Sequence, residues 1–227
     1  FDPRVTGMGT MEFEMVVNPR GGHHTSGGGP AYSRGSATEK FATHANRMGA
    51  SDEAVARILD PVVGFNAGRF TRYSEDWYAV LNALGLCVRL QINRFHSIGA
   101  LAELYSSATG LETTPRELAT AGERAWNVLR AWSAREGFSR KDDRFPDRWF
   151  EPIAAPAGQQ LRLHHYFGQP LDRADAEQML DDYYDERGWD KRSGIPTVKK
   201  LAALGLEEVA EDLRRRAIPV DCHRTND

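Results

Sequence analysis

The segment from Thr114 to Trp132 constrains the fold most, because it joins a helix start signal to the strongest helical repeat in the chain. Thr114 and Glu117 form a capping-box pair around Pro115, a residue favoured at the first helical position. Apolar residues then recur every three or four positions, at Leu118, Ala121, Ala125, Leu129 and Trp132. This stripe predicts a helix that packs the same face into a protein core.

Comparable spacings predict further helices, whereas no segment shows a convincing strand alternation and no internal repeat is present. Ser36 begins the first of these helices with a capping-box form, and Gly49 ends it. Residues 64–71 are interpreted as a glycine-containing connection. The remaining helices are predicted at 51–60, at 72–84, at 97–109, at 172–187, at 197–204 and at 206–216. The fold class predicted is all-α and multihelical over residues 36–216, with a disordered tail at 217–227.

Residues 1–35 are predicted to be an irregular, glycine-rich loop segment that contributes to an active site. It contains Arg20-Gly21-Gly22-His23-His24, but neither a Walker A motif nor the strand–turn–helix context of a dinucleotide fingerprint. The two histidines are either solvated or a proton-transfer group at a ligand, because histidine titrates near neutral pH. No cysteine or aspartate lies at zinc-ligand spacing.

The segment 135–160 is charged and interrupted by prolines, and its charges alternate in sign from Arg135 to Arg144. It is interpreted as a solvated turn whose ion pairs contribute about 0–1 kcal/mol each. Trp189 is expected to be a packed aromatic residue with a structural role.

Composition describes an ordinary globular chain: 227 residues, 41% hydrophobic, 10% aromatic, with a net charge of −3. Such a charge does not favour nucleic acid as a partner. No apolar run is long enough to span a bilayer, and no signal peptide pattern is present. Two cysteines are too few for a disulfide scaffold, which favours a reducing cytoplasm. The absence of an initiator Met before Phe1 suggests a processed or truncated chain.

Cys87 follows a predicted helix that Gly85 ends, within the stretch Asn82-Ala83-Leu84-Gly85-Leu86-Cys87. A thiol in this position can be a small core residue, a redox group or a metal ligand. Spacing and composition leave these alternatives open.

Three segments together resemble the aldehyde ferredoxin oxidoreductase family, specifically the C-terminal part of its subunits. Residues 82–87 are similar to its Asp-x-x-Gly-Leu-Cys element. Residues 132–152 are similar to its Arg-Glu-Gly-Phe-x-Arg-x-Asp-Asp-x-x-Pro-x-Arg signature, and residues 179–206 to its Tyr-Tyr-x-x-Arg-Gly-Trp-Asp-x-x-x-Gly-x-Pro element. Their shared order covers most of residues 80–210.

The resemblance implies a tungsten bis-pterin centre of the molybdopterin type beside a [4Fe-4S] cluster. It makes Cys87 the last cluster ligand and a pterin contact, and it makes Leu86 a backbone contact to pterin. Asn82 stands where the family has aspartate, so it keeps one acceptor oxygen, loses the charge and adds donors. Arg20-Gly21-Gly22-His23-His24 resembles the family's Arg-Gly-Gly-x-His element, which implies that His24 exchanges a proton at the substrate oxygen.

The implied activity is oxidation of aldehydes to carboxylic acids with ferredoxin as electron acceptor. The family's pterin-cradling N-terminal domain and its Cys-x-x-Cys-x-x-x-Cys ligands are not in this sequence, so the chain alone is expected to hold neither cofactor. A missing N-terminal region or a partner chain must supply them. A homodimer, and molybdenum in place of tungsten, stay open. Two other functions also stay open: the tungsten subunit of an aryl-CoA reductase, and a non-catalytic helical interaction domain.

Overall fold

The all-α prediction is confirmed in the computed structural model, which describes residues 2–19, 38–87, 96–156 and 158–220. The described residues form ten α-helices: α1 Pro3–Thr6, α2 Thr10–Val17, α3 Thr38–Arg47, α4 Asp52–Ile58, α5 Ala67–Ala83, α6 Ile98–Thr109, α7 Pro115–Arg135, α8 Arg173–Arg187, α9 Val198–Ala203 and α10 Glu207–Arg215. Two 3₁₀ turns (Arg140–Asp142, Asp147–Phe150) and a short antiparallel ladder (β1 Ile153–Ala154, β2 Gln160–Leu161) complete the described elements.

Helix α5 lies at the centre of the fold and packs against α2, α7 and α8. It begins earlier than the sequence predicted: Asn66 caps it by accepting a hydrogen bond of 3.0 Å from the Arg69 amide. The interpretation of residues 64–71 as a connection is therefore wrong from Ala67 onward. Gly68 and Gly122 allow the close packing, since a Cβ at either position would collide with a main-chain carbonyl of the neighbouring helix.

The interpretation of residues 1–35 as loop is wrong for α1 and α2. Asp2 caps α1, and α2 buries Phe13, Val16 and Val17 in the same core as α5. These three residues follow helical spacing, whereas the glycines that suggested a loop mostly lie beyond residue 20. Residues 20–37 lie outside the described residues, so the predicted active-site role of this segment stays a prediction.

Helix α7 begins at Pro115 with the predicted capping box, but its predicted core face is wrong. Trp132 is 64% exposed and Leu129 36% exposed. The buried face instead carries Leu118, Gly122, Trp126, Asn127, Arg130, Ala131 and Ala134. Apolar spacing misses this face because its polar members are compensated by specific partners, which only the tertiary structure supplies.

The charged segment after α7 is not simply a solvated turn, and that interpretation is wrong for its central part. Asp143, Phe145 and Trp149 are buried. Asp143 accepts two hydrogen bonds from Arg130, of 3.1 and 2.6 Å, so this ion pair is internal. An ion pair of this kind is lost at far greater cost than a surface pair.

The predicted tail also begins too early. Val220 is buried in a small cluster between α7, α9 and α10, and its carbonyl accepts a hydrogen bond of 3.0 Å from the Val198 amide. Residues 221–227 lie outside the described residues. None of the described helices combines the length and the apolar run that crossing a bilayer requires.

Candidate functional site

The exposed end of α5 carries the predicted cofactor-binding residues. Gly85 has the left-handed φ of 69° that terminates a helix. The Gly85 amide donates to the Asn82 carbonyl at 3.1 Å, and the Leu86 amide donates to the Leu81 carbonyl at 2.8 Å. These two bonds form a Schellman motif, so local sequence alone stops the helix and turns the chain at this point.

The Schellman motif orients the three predicted residues differently. Leu86 is half-buried and packs against the main core, whereas Asn82 and Cys87 are exposed. The alternative that Cys87 is a small buried core thiol is therefore wrong for this chain. An exposed thiol can ionise and bind a metal without the desolvation cost of a buried one.

The other predicted site residue, His24, lies outside the described residues together with its neighbour His23. Among the residues that the structure describes, no group of three His, Cys, Asp or Glu side chains could hold a metal ion. The chain therefore fits the cluster only as the donor of one thiolate, as the resemblance implied, and not as a complete metal site.

A buried ionic network holds α5 from below and explains much of the segment 179–206. Arg187 on α8 is fully buried and bonds to both Glu75 and Asp76 on α5. Its guanidinium carbon lies 5.5–5.6 Å from the ring centroids of three aromatic residues, Trp126, Tyr183 and Trp189. Such a site fixes α5 in both rotation and axial position against α8.

Glu75 is the most unusual acid in this network. Its Oε2 atom accepts hydrogen bonds from Arg187 and from Tyr183, the latter at 2.7 Å, while its buried Oε1 atom has no partner among the described residues. Burial raises the pKa of Glu75 to about 7, although Arg187 and Tyr183 act in the opposite direction.

A second internal pair ties the charged segment to α8. Arg130 donates from Nε to the Gly194 carbonyl at 2.8 Å and forks onto Asp143, which also accepts from the Tyr184 hydroxyl. Trp189 lies next to this pair, and its indole N–H donates to Asn127 at 2.8 Å, as a packed structural residue should. The sequence offered one signal for these partnerships, the Tyr-Tyr-x-x-Arg-Gly-Trp-Asp element itself.

These features define a multihelical domain in which a buried ionic core supports one exposed cysteine at the end of the central helix. The family model described as "Aldehyde ferredoxin oxidoreductase, domains 2 & 3" matches residues 1–206. The chain belongs to the aldehyde ferredoxin oxidoreductase family.

Curated relatives agree with this assignment. The chain is 32% identical over 142 residues to a "Tungsten-containing aldehyde ferredoxin oxidoreductase" of Pyrococcus horikoshii, a match that covers 59% of this chain and 20% of the relative. Proteins of the same name from Pyrococcus furiosus and Thermococcus kodakarensis are 30% and 29% identical over the same shares. The chain thus spans about one fifth of the length of these relatives.

The fold also matches a solved structure titled "Active site complex BamBC of Benzoyl Coenzyme A reductase in complex with 1,5 Dienoyl-CoA". The superposition has a TM-score of 0.65 at 20% identity and covers 95% of this chain and 33% of that one. At this identity the likeness concerns the fold alone.

Proposed function

We propose that the chain is the C-terminal part of a tungsten- or molybdenum-pterin oxidoreductase that oxidises aldehydes to carboxylic acids. Electrons would leave through a [4Fe-4S] cluster to ferredoxin, and the enzyme would act in the cytoplasm. The observation that carries the proposal is the exposed Cys87 held just beyond the Schellman motif of α5. Names of the tungsten-containing relatives support the choice of chemistry.

Each predicted residue has a role in this proposal. The Cys87 thiolate would bind one iron of the cluster, since thiolates are the usual ligands of iron–sulfur clusters. The Leu86 main chain and the Asn82 side chain would bind the pterin, with Asn82 offering both a donor and an acceptor. His24 would exchange a proton at the substrate oxygen, because its imidazole changes charge near neutral pH.

The cofactors, when bound, supply the two-electron oxidation and the onward electron path. This chain's contribution is a rigid ligand position: α5 cannot rotate without breaking the Arg187 network beneath it. The remaining cluster ligands and the pterin cradle would come from the missing N-terminal region or a partner chain.

The test uses the complete polypeptide that contains this chain. We expect iron and tungsten by metal analysis, a cluster absorption band, and aldehyde-dependent reduction of a viologen dye. Cys87→Ser should lower the iron content and bleach the band, whereas Cys222→Ser is the matched control and should change neither. A colourless, metal-free polypeptide would support the non-catalytic interaction domain instead.

An aryl-CoA reductase is the second candidate, because the solved structure with the same fold carries that title. The same preparation separates the two activities. Reduction of an aryl-CoA by reduced viologen, with no aldehyde-dependent reaction, would replace the first proposal by this one.

A further inference from the structure

A cleft of about 260 Å³ lies away from Cys87, between the α4–α5 connection, the first turns of α8 and the turn at His165. Asp60, Asp175 and Asp182 line it together with His165, and Val63 and Met179 supply apolar walls. We call this the acidic cleft. No Lys or Arg side chain lines it.

The polar atoms of the acidic cleft fall into two groups. Asp182 is already satisfied, since it accepts from Asn66 at 2.7 Å, from Arg69 at 3.0 Å and from Gln178 at 3.2 Å. Asp60 and Asp175 accept main-chain amides through one oxygen each and form no ion pair among the described residues. Each therefore keeps a carboxylate oxygen for a ligand.

His165 provides an independent indication that the cleft lacks a binding partner. Its residue is 6% exposed, it lines the cleft, and its buried Nδ1 atom has no hydrogen-bond partner in the described part of the chain. Burial lowers the pKa of His165, while Asp175 and Asp60 act in the opposite direction. A neutral imidazole keeps one nitrogen as an acceptor, and a buried polar atom without a partner is costly.

The unused polar groups are thus all acceptors: two carboxylates, one imidazole nitrogen and the Gln178 amide oxygen. A ligand must bring donors and positive charge. A metal ion does not fit, because no three acidic or imidazole side chains of the described residues come together at ligand distance. Val63 and Met179 instead suit a short carbon chain.

We propose that the acidic cleft binds a primary alkylammonium ion, with its N–H groups donating to Asp60, Asp175 and His165 and its carbon chain against Val63 and Met179. This site is independent of the proposed redox function. It makes no use of the α5 terminus.

Calorimetric titration of the chain with two ligands of equal charge tests the proposal directly. n-Butylammonium should bind, whereas n-butyltrimethylammonium, which has no N–H donor, should bind at least about tenfold more weakly, the equivalent of one or two lost hydrogen bonds. Equal affinity for the two ions would mean that only unspecific charge attraction operates. Absence of binding by either would mean that water alone fills the cleft, and both results overturn the proposal.

Asp175→Asn provides the matched variant, because asparagine can still accept the amide of Asp172 at the start of α8 while losing the charge. We expect it to weaken n-butylammonium binding about fivefold. Glu103→Gln removes an exposed charge on α6, which does not line the cleft, and should leave the affinity unchanged. Equal losses in both variants would contradict the assignment.

Discussion

Arg187 donates a hydrogen bond of 2.6 Å from Nη1 to Oδ1 of Asp76, with both side chains buried between α5 and α8. The same guanidinium bonds to Glu75 and reaches the Arg72 carbonyl at 3.2 Å. One side chain therefore neutralises two acids of the central helix. Its removal would leave both without their cation in a region that excludes water.

Arg187→Met should cost about 3–5 kcal/mol in the free energy of unfolding, since it leaves buried carboxylates uncompensated. Arg57→Met is the matched control: Arg57 pairs with Glu186 at 2.7 Å, but its side chain is 49% exposed, so the loss should stay below about 1 kcal/mol. Urea unfolding measures both variants. Similar losses in the two would show that the buried network contributes no more than a surface pair.

Glu75 should make the stability of the protein depend on pH. Its pKa lies near 7 in the folded chain and near the ordinary 4.5 when unfolded, so the folded state binds more protons between these values. This contribution is complete below about pH 4.5 and is lost as the pH rises towards about 7. Glu75→Gln cannot ionise, and its stability relative to the unsubstituted chain should therefore rise by about 1–3 kcal/mol across this window. Unfolding curves at several pH values provide the measurement, and a constant difference would contradict the shifted pKa.

Gly122→Ala should destabilise the chain by about 1–3 kcal/mol, because an added methyl group would overpack the α5–α7 contact. The new Cβ would lie 2.8 Å from a Val80 methyl carbon and would collide with the Asp76 carbonyl. Gly99→Ala on α6 meets nothing closer than 3.7 Å and should stabilise its helix by up to about 1 kcal/mol. Thermal unfolding compares the pair. A tolerated Gly122→Ala would mean that the two helices can separate at little cost.

Gly85→Ala tests the Schellman motif that positions Cys87. The left-handed backbone of Gly85 should make alanine cost about 1 kcal/mol, although no atom lies within 4 Å of the added Cβ. Gly110 at the end of α6 has a similar φ of 75° and equally open surroundings, so Gly110→Ala should cost the same. Only Gly85→Ala should change the rate at which Cys87 reacts with a thiol reagent. Equal reaction rates in both variants would disconnect the turn from the thiol.

Local signals in the sequence predicted the helices whose ends are chemically marked. Thr114 and Pro115 begin α7, Ser97 precedes α6, and Gly188 ends α8, each where the pattern indicated. The Cys87 turn belongs to the same class, because a Schellman motif is formed by neighbouring residues. Helix capping is a short-range interaction and can be predicted without knowledge of the fold.

Burial of polar residues could not be predicted in this way. Helical spacing placed Leu129 and Trp132 in the core, whereas the structure buries Arg130 and Asn127 on the opposite face. The partners that make this burial favourable, Asp143 and Trp189, are distant in sequence. No pattern within one helix contains that information.

The sequence by itself determined the helical class, the helix ends and the family resemblance, because caps, spacing and motif residues are all local. Only the tertiary structure decided that Cys87 is exposed, that Arg187 neutralises Glu75 and Asp76, and that α1 and α2 join the core. These outcomes depend on which side chains meet across distant segments. The free energy of a buried charge is set by those partners and by the exclusion of water, and neither is encoded at a single position.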